Sequence, residues 1–423
     1  MKKVVIAEAG AASNIGSMAL ILNAIEIAQK IYPNCEITVL TPDILNVVKE
    51  LKRHYSKNIN VINDLLVFPR SKNMLHKILW LINSIFFLLW CNFILCFTKN
   101  PFVCIMSRKR KVLKSVSEAD LILCIGAERI NDVYYKTALL SLLILTIYER
   151  MQKRVVHFSL TIGPVFNKLT ILLAKHVLNN SYAIFVRDTK SYSLLKEWGI
   201  SHPSIFNSFD IALLQKKCSD EEALLVLKKY GINLNQPIVG VSVINWAFRK
   251  VKGPQRMDDY NLAFSLILDY IIENYGCQIL FTPTVVGGAG IDDVQQSETI
   301  KSKMKNKKET FIVRELLSPD ILAGVYSKCR YSIVTRMHAA ILCSGAGCKN
   351  IISVNYLYKL REYMKNIGFE DYSVDIDYVN FDSLKGFVDN METNYELNSS
   401  VLSNRVAILK ERLQMDIESL LKL

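Results

Sequence analysis

Arg336 and His338 stand two residues apart, and Lys359 follows in the same stretch, Tyr331 to Arg361, which holds no carboxylate. A planar guanidinium grips phosphate or carboxylate through paired N–H bonds, an ammonium adds a point charge, and an imidazole exchanges protons near neutral pH. This set suits an anionic ligand with proton transfer beside it. Each residue also has an ordinary structural reading: Arg336 as a cap on a neighbouring helix, His338 as a satisfied interior histidine, Lys359 on a solvated helix face. Their clustering favours the site.

The elements around them explain the clustering. Tyr331 to Val334 is a short apolar, β-branched run that suits a buried strand, and Ala339 to Gly345 is small and apolar enough to open a helix packed on it. Thr335 to His338 then form the strand-to-helix turn. A second strand, Ile351 to Val354, delivers Asn355, Tyr356 and Lys359 to the same edge. In doubly wound α/β sheets, ligands bind outside the carboxyl ends of strands, where helix N-termini offer free N–H groups.

The same alternation runs through the chain. Lys3 to Ala7 reads as a first strand, followed by the small-residue loop GAASNIGS and a helix from Met18 to Ile31. Gly10, Asn14, Gly16 and Ser17 lie in that loop, whose spacing matches neither the dinucleotide nor the P-loop glycine pattern. Strands at Glu36 to Leu40, Leu121 to Ile125, Val155 to Leu160 and Ala183 to Val186 each end in a polar or glycine-bearing loop. Arg187 and Asp188 stand at the last of these ends, where a structural ion pair between them is one reading. A charged helical stretch near Asp210 marks a junction, with Ser219 as N-cap. Strands at Ile238 to Ile244, before Asn245, at Gln278 to Phe281 and at Phe311 to Val313 then lead to the Arg336 segment. The expectation is two α/β domains of Rossmann type, 1–214 and 215–385, with a helical tail over 386–423 and an interdomain cleft lined by strand ends.

Composition narrows the partners. The chain has 423 residues, is 51% hydrophobic and carries a formal charge of +13. The basic residues are dispersed and no RNA-binding or helix-turn-helix signature accompanies them, so anionic lipid or a phosphorylated substrate is favoured over nucleic acid. Ten cysteines, including the C-x4-C pairs Cys91/Cys96 and Cys343/Cys348, lack zinc spacing and read as buried thiols. Glu8 interrupts the N-terminal apolar run after four residues, so a secretory signal is not expected and the protein is expected in the cytoplasm.

Ile78 to Phe97 is twenty uncharged residues, long enough for a bilayer span. Lys72, Lys77, Lys99 and Arg108 to Lys111 flank it on both sides, which leaves its orientation undefined by the positive-inside rule. A helix or hairpin dipping into the cytoplasmic leaflet is the preferred reading, ahead of a buried core helix and a true span. That places the protein on the inner face of the membrane.

In order, SNIGSMALI, GAERIND, SLTIGP, FVRDTKSYSLLKEWGI, SFDIAL, VGVSV, SIVTRMHAAILCSGAG and SVNYLYK resemble the polysaccharide pyruvyl transferase family over most of the chain. The R-x-H segment with its Y-x-x-K loop is the most specific element. The resemblance implies a GT-B-like arrangement of two Rossmann-like domains, the first on the acceptor side and the second on the donor side. It implies pyruvyl transfer from phosphoenolpyruvate to a sugar of a capsular or other cell-surface glycan, forming a ketal. Arg336 and His338 would carry the chemistry; Arg187, Lys359, Asn14, Gly16, Ser17, Asn245, Asn355 and Tyr356 would bind substrates; no metal or cofactor is called for. Two positions depart from the family pattern: Ser17 replaces an aspartate, and a glycine-rich element is reduced to Gly126-Ala127-Glu128. A nucleotide-sugar glycosyltransferase and a non-catalytic, membrane-docked organiser of glycan assembly are the alternatives.

Overall fold

The computed structural model describes residues 1–422 except 57–58, 70, 72, 99, 101–106, 127, 203, 247, 249–255 and 288–291. Lys72, Lys99 and Ala127, named above, therefore lie outside the described residues. The chain forms two compact units. The first comprises residues 1–12, 20–211 and 413–423, the second residues 13–19 and 212–412.

In chain order the first sheet is built from β1 (Lys3–Ala7), α1 (Ile15–Ile31), β2 (Glu36–Thr41), α2 (Ile44–His54), β3 (Asn60–Asn63), α3 (Met74–Phe97), α4 (Ser107–Glu118), β4 (Leu121–Cys124), α5 (Tyr135–Arg150), β5 (Val155–Leu160), α6 (Lys168–Asn180), β6 (Ala183–Val186), α7 (Thr189–Glu197) and β7 (Ile205–Asn207). Its seven strands run in the order β3-β2-β1-β4-β5-β6-β7, all pairs parallel. The central strands β4, β5 and β6 are buried along their whole length, because helices cover a parallel sheet and both side-chain faces must be apolar.

The second sheet follows with α8 (Asp220–Lys229), β8 (Ile238–Ser242), α9 (Arg256–Tyr275), β9 (Gln278–Phe281), α10 (Asp293–Lys303), β10 (Thr310–Ile312), α11 (Pro319–Tyr326), β11 (Tyr331–Val334), α12 (Met337–Gly345), β12 (Ile351–Asn355), α13 (Tyr358–Asn366), β13 (Ser373–Asp375), α14 (Phe381–Thr393) and α15 (Tyr395–Lys422). Six parallel strands run β10-β9-β8-β11-β12-β13. Ser219 caps α8 by accepting from the Glu222 N–H at 3.2 Å, with acids in its first turn and lysines in its last.

Both sheets reverse strand order beside their first strand, between β1 and β4 and between β8 and β11. Such switch points open the crevice in which α/β proteins hold ligands. The Arg336 segment leaves β11 at one of them; Glu8 and Gly126 leave β1 and β4 at the other.

The structure adds three strands that the apolar runs do not mark, β3, β7 and β13. All three are sheet edges of three or four residues, half exposed and polar enough to carry no buried-strand signature. Two helices begin earlier than their apolar runs suggest. α1 starts at Ile15 and α12 at Met337, so His338 lies in a helical first turn rather than in a loop.

Candidate active site

Arg336 occupies the N-cap position of α12, with extended backbone and no side-chain capping bond. Its side chain reaches away from the helix, and Nη2 donates to Asp293 Oδ1 at 2.6 Å. The pair is buried, with 13% and 1% of the two side chains exposed. Burial opposes the charge on Arg336, but Asp293 and the Tyr356 hydroxyl more than offset it and raise its pKa above the ordinary value. The carboxylate missing from the Arg336 segment thus arrives from α10, far away in sequence.

Asp293 does more than pair with Arg336. Its Oδ2 accepts from the Thr284 N–H at 3.0 Å, the Thr284 hydroxyl at 3.1 Å and the Val285 N–H at 3.0 Å. That fixes the loop after β9. The same loop pairs with the first glycine-bearing loop of the chain: Ile15 N–H donates to Thr284 carbonyl at 3.0 Å, and Asn14 bridges Val285 in antiparallel fashion. Asn14 Oδ1 accepts the Gly16 N–H at 2.9 Å, tightening the start of α1. Gly16 then rests against His338, so closely that an added Cβ would lie 2.1 Å from Nδ1. A closed circuit runs from Arg336 through Asp293, the β9 loop and Asn14 to Gly16 and back to His338. Ser17, half-buried, is the next residue of α1.

The β12 end completes the group. Tyr356 packs on Trp246 with ring centroids 4.7 Å apart, and Lys359 Nζ lies 5.6 Å from the Tyr356 ring. Asn245, exposed, precedes Trp246 in the loop after β8. Asn355 is buried and its Oδ1 accepts from Ser353 Oγ at 3.0 Å, which turns Nδ2 the other way.

Three neighbouring strands, β8, β11 and β12, share one property at their carboxyl ends. Ser242 Oγ, Arg336 Nε and Asn355 Nδ2 are all buried polar atoms with no hydrogen-bond partner among the described residues. Leaving a buried donor unpaired costs about 1–3 kcal/mol each. An oxyanion accepting from such donors removes that cost, and the α12 N-terminus adds its dipole.

Residues 14–358 match the family model of polysaccharide pyruvyl transferases. The chain belongs to the polysaccharide pyruvyl transferase family. Among curated relatives, this pyruvyl transferase family member is 21% identical over 288 residues to the amylovoran biosynthesis protein AmsJ of Erwinia amylovora, covering 66% of this chain and 67% of that one. Its fold is similar to that of Anabaena HepE solved with UDP, at 14% identity, TM-score 0.56 and full coverage of both chains. It is also similar to Staphylococcus aureus MnaA solved with UDP, at 12% identity and TM-score 0.58, covering 96% and 92%. At these identities the likeness concerns the fold alone, two parallel α/β sheets of seven and six strands.

The family member's other expected clamp, Arg187, belongs to the first unit, where protein groups engage it. Nη1 meets Asp210 Oδ2 at 2.6 Å, Nε donates to Thr161 Oγ1 at 2.6 Å, and Nη2 lies 3.6 Å from Glu128. Asp188 is not its hydrogen-bonded partner. That carboxylate caps α7, accepting from the Ser191 N–H and hydroxyl at 2.8 Å each. Burial opposes the charge on Arg187, and Asp210 and Glu128 outweigh it, so its pKa rises.

At the first sheet's switch point, Gly126 is the glycine that remains of the shortened element. A Cβ there would come within 2.7 Å of Glu8 Cβ and 2.8 Å of Glu8 Oε2. Glu8 itself has a positive φ of 57° and a buried Oε1 without a partner among the described residues. With Asp64, Arg129 and Ser141 it lines a cavity of about 20 Å³, room for one water-sized group.

Asp293, Trp246 and Ser242 are the site neighbours that reading the sequence does not single out. Asp293 leaves one local trace, an Asp292-Asp293 pair opening a helix, which on its own reads as capping. Asp292 indeed caps α10, accepting from Val294 and Gln295 N–H groups.

Proposed function

We propose that this protein transfers a pyruvyl group from phosphoenolpyruvate to a sugar of a cell-surface glycan, forming a cyclic ketal. The observation that carries the reading is the row of unpaired buried polar atoms on Ser242, Arg336 and Asn355 beside His338. Phosphoenolpyruvate presents both a carboxylate and a phosphate, and a guanidinium already fixed by Asp293 offers its remaining N–H groups without the entropy cost of ordering.

The reaction needs a proton delivered to the methylene carbon, attack of a sugar hydroxyl at C2, and departure of phosphate as a second hydroxyl closes the ring. His338, packed against Gly16, is the group suited to move a proton in the first step. Arg336 stays with the phosphate as its charge grows on leaving. Lys359, beside Tyr356, adds positive charge near the same strand end. The relative in amylovoran biosynthesis supports an exopolysaccharide setting.

The test is phosphate release from phosphoenolpyruvate in the presence of candidate glycan acceptors, with the ketal product identified by mass spectrometry. His338→Ala should abolish release while leaving the melting curve in place, and Arg336→Ala should abolish it with a lowered melting curve, because Asp293 then stays buried without its partner. Full activity in either variant would remove the residue from its role. Binding of a UDP-sugar with no heat from phosphoenolpyruvate in calorimetry would replace the proposal with nucleotide-sugar chemistry, which the UDP-bound fold relatives make the natural competitor.

A further inference from the structure

The helix α3 divides cleanly into two faces. Ser84, Phe87, Leu88, Cys91, Asn92 and Leu95 are buried, at helical spacing, in a core shared with α4 and α5. Asn92 Nδ2 donates across to the Leu143 carbonyl of α5 at 3.1 Å, which pins the helix to its neighbour. The opposite face carries Ile82, Phe86, Leu89, Trp90, Phe93 and Phe97, with Phe86 67% and Phe97 77% exposed. A soluble surface seldom leaves so continuous an apolar stripe bare.

The helix meets the length and hydropathy of a membrane span, yet only 33% of its apolar window is buried. Its connections exclude crossing a bilayer. β3 precedes α3 and β4 follows α4, and both strands belong to the same hydrogen-bonded sheet. Spanning would also tear Asn92 from α5 and the buried face from its core.

Charge identifies the occupant. Residues 65–117 contain nine Lys or Arg and no Asp or Glu. Lys109 Nζ sits 3.6 Å over the Phe87 ring, setting α4 against α3, and Arg110, Lys111 and Lys114 of α4 are exposed. A second copy of a +13 chain would bring like charges together at this edge; anionic headgroups neutralise them. We propose that the exposed face of α3, edged by basic α4, is a monotopic docking surface for an anionic lipid leaflet, with the apolar side chains among the acyl chains and the cations on headgroups. The inference is independent of which group the enzyme transfers.

Flotation of the full-length protein with phosphatidylcholine vesicles, with and without phosphatidylglycerol, tests it. Co-flotation should require the anionic lipid and weaken with added salt, and brominated lipid should quench a fluorescence component that Trp90→Phe removes. Phe86→Asp with Phe93→Asp changes two exposed side chains, so the thermal melt should hold while the partition constant drops roughly a hundredfold or more. Equal flotation with neutral vesicles, no flotation, or unchanged partition of the double variant would each overturn the proposal. So would a dimer in sedimentation velocity that the same two substitutions dissociate, since the face would then belong to a second copy.

Discussion

Gly16 and His338 touch at a distance that only a residue without a Cβ at position 16 allows: a methyl group on Gly16 would stand 2.1 Å from Nδ1 and 2.3 Å from Cγ of the imidazole. The contact joins the first loop of the chain to the first turn of α12. It makes the glycine of SNIG a spacer for the histidine.

Gly16→Ala must therefore displace either the α1 start or the imidazole. A shift near 1 Å at a reacting group costs on the order of a hundredfold in rate. We expect kcat for phosphate release to fall by about that factor with an intact fold by circular dichroism. Gly386→Ala, where a Cβ meets nothing within 4 Å, is the control and should leave kcat alone.

Asp293→Asn removes the charge facing Arg336 and turns an amide toward the Thr284 and Val285 N–H donors. Breaking a buried pair from one side costs roughly 3–5 kcal/mol. The denaturant midpoint should drop accordingly, and the affinity for phosphoenolpyruvate should change with it, because the guanidinium loses its anchor. An unchanged midpoint would mean that the pair is not formed in solution.

Arg187 and Asp210 make a separate case. Asp210→Asn should destabilise by a similar amount, roughly 3–5 kcal/mol, and leave the calorimetric affinity for phosphoenolpyruvate unchanged. The reverse pattern, lost affinity with an unaltered melt, would assign Arg187 to the ligand.

Two buried groups shape the pH profile from opposite sides. Burial raises the Glu8 pKa from 4.5 to about 7, so the folded state holds a proton that the unfolded chain has released; its contribution is complete below pH 4.5 and is lost as pH rises through about 7. Burial lowers His157 from 6.5 to about 4, so its contribution is complete above pH 6.5 and is lost as pH falls through about 4. Each amounts to roughly 3 kcal/mol at 1.36 kcal/mol per pH unit. Because the two windows overlap, their slopes largely offset each other, and urea titrations should show a nearly flat contribution between about pH 4 and 7. Glu8→Gln should remove the Glu8 part and leave stability that climbs from about pH 4 to 6.5; a profile unchanged by Glu8→Gln would assign the alkaline slope to another group.

The central strands were legible because burial on both faces forces a continuous apolar run, as at Val155–Leu160 and Tyr331–Val334. The edge strands β3, β7 and β13 were not, since a half-exposed strand of three or four residues leaves no such mark. Arg336, His338, Asn355 and Tyr356 could be placed at adjacent strand ends because strand and turn signals are local.

By itself, then, the sequence determined the parallel α/β architecture, the family and the residue types available to an anion, all properties carried by short windows and their order. Tertiary structure decided who partners whom. Asp293 lies 43 residues from Arg336 and Gly16 more than three hundred from His338, and no local propensity links such positions. Packing of the β9 loop between α10 and the start of α1 brings them together. The same long-range burial turned Arg187 toward Asp210 and left one face of α3 bare.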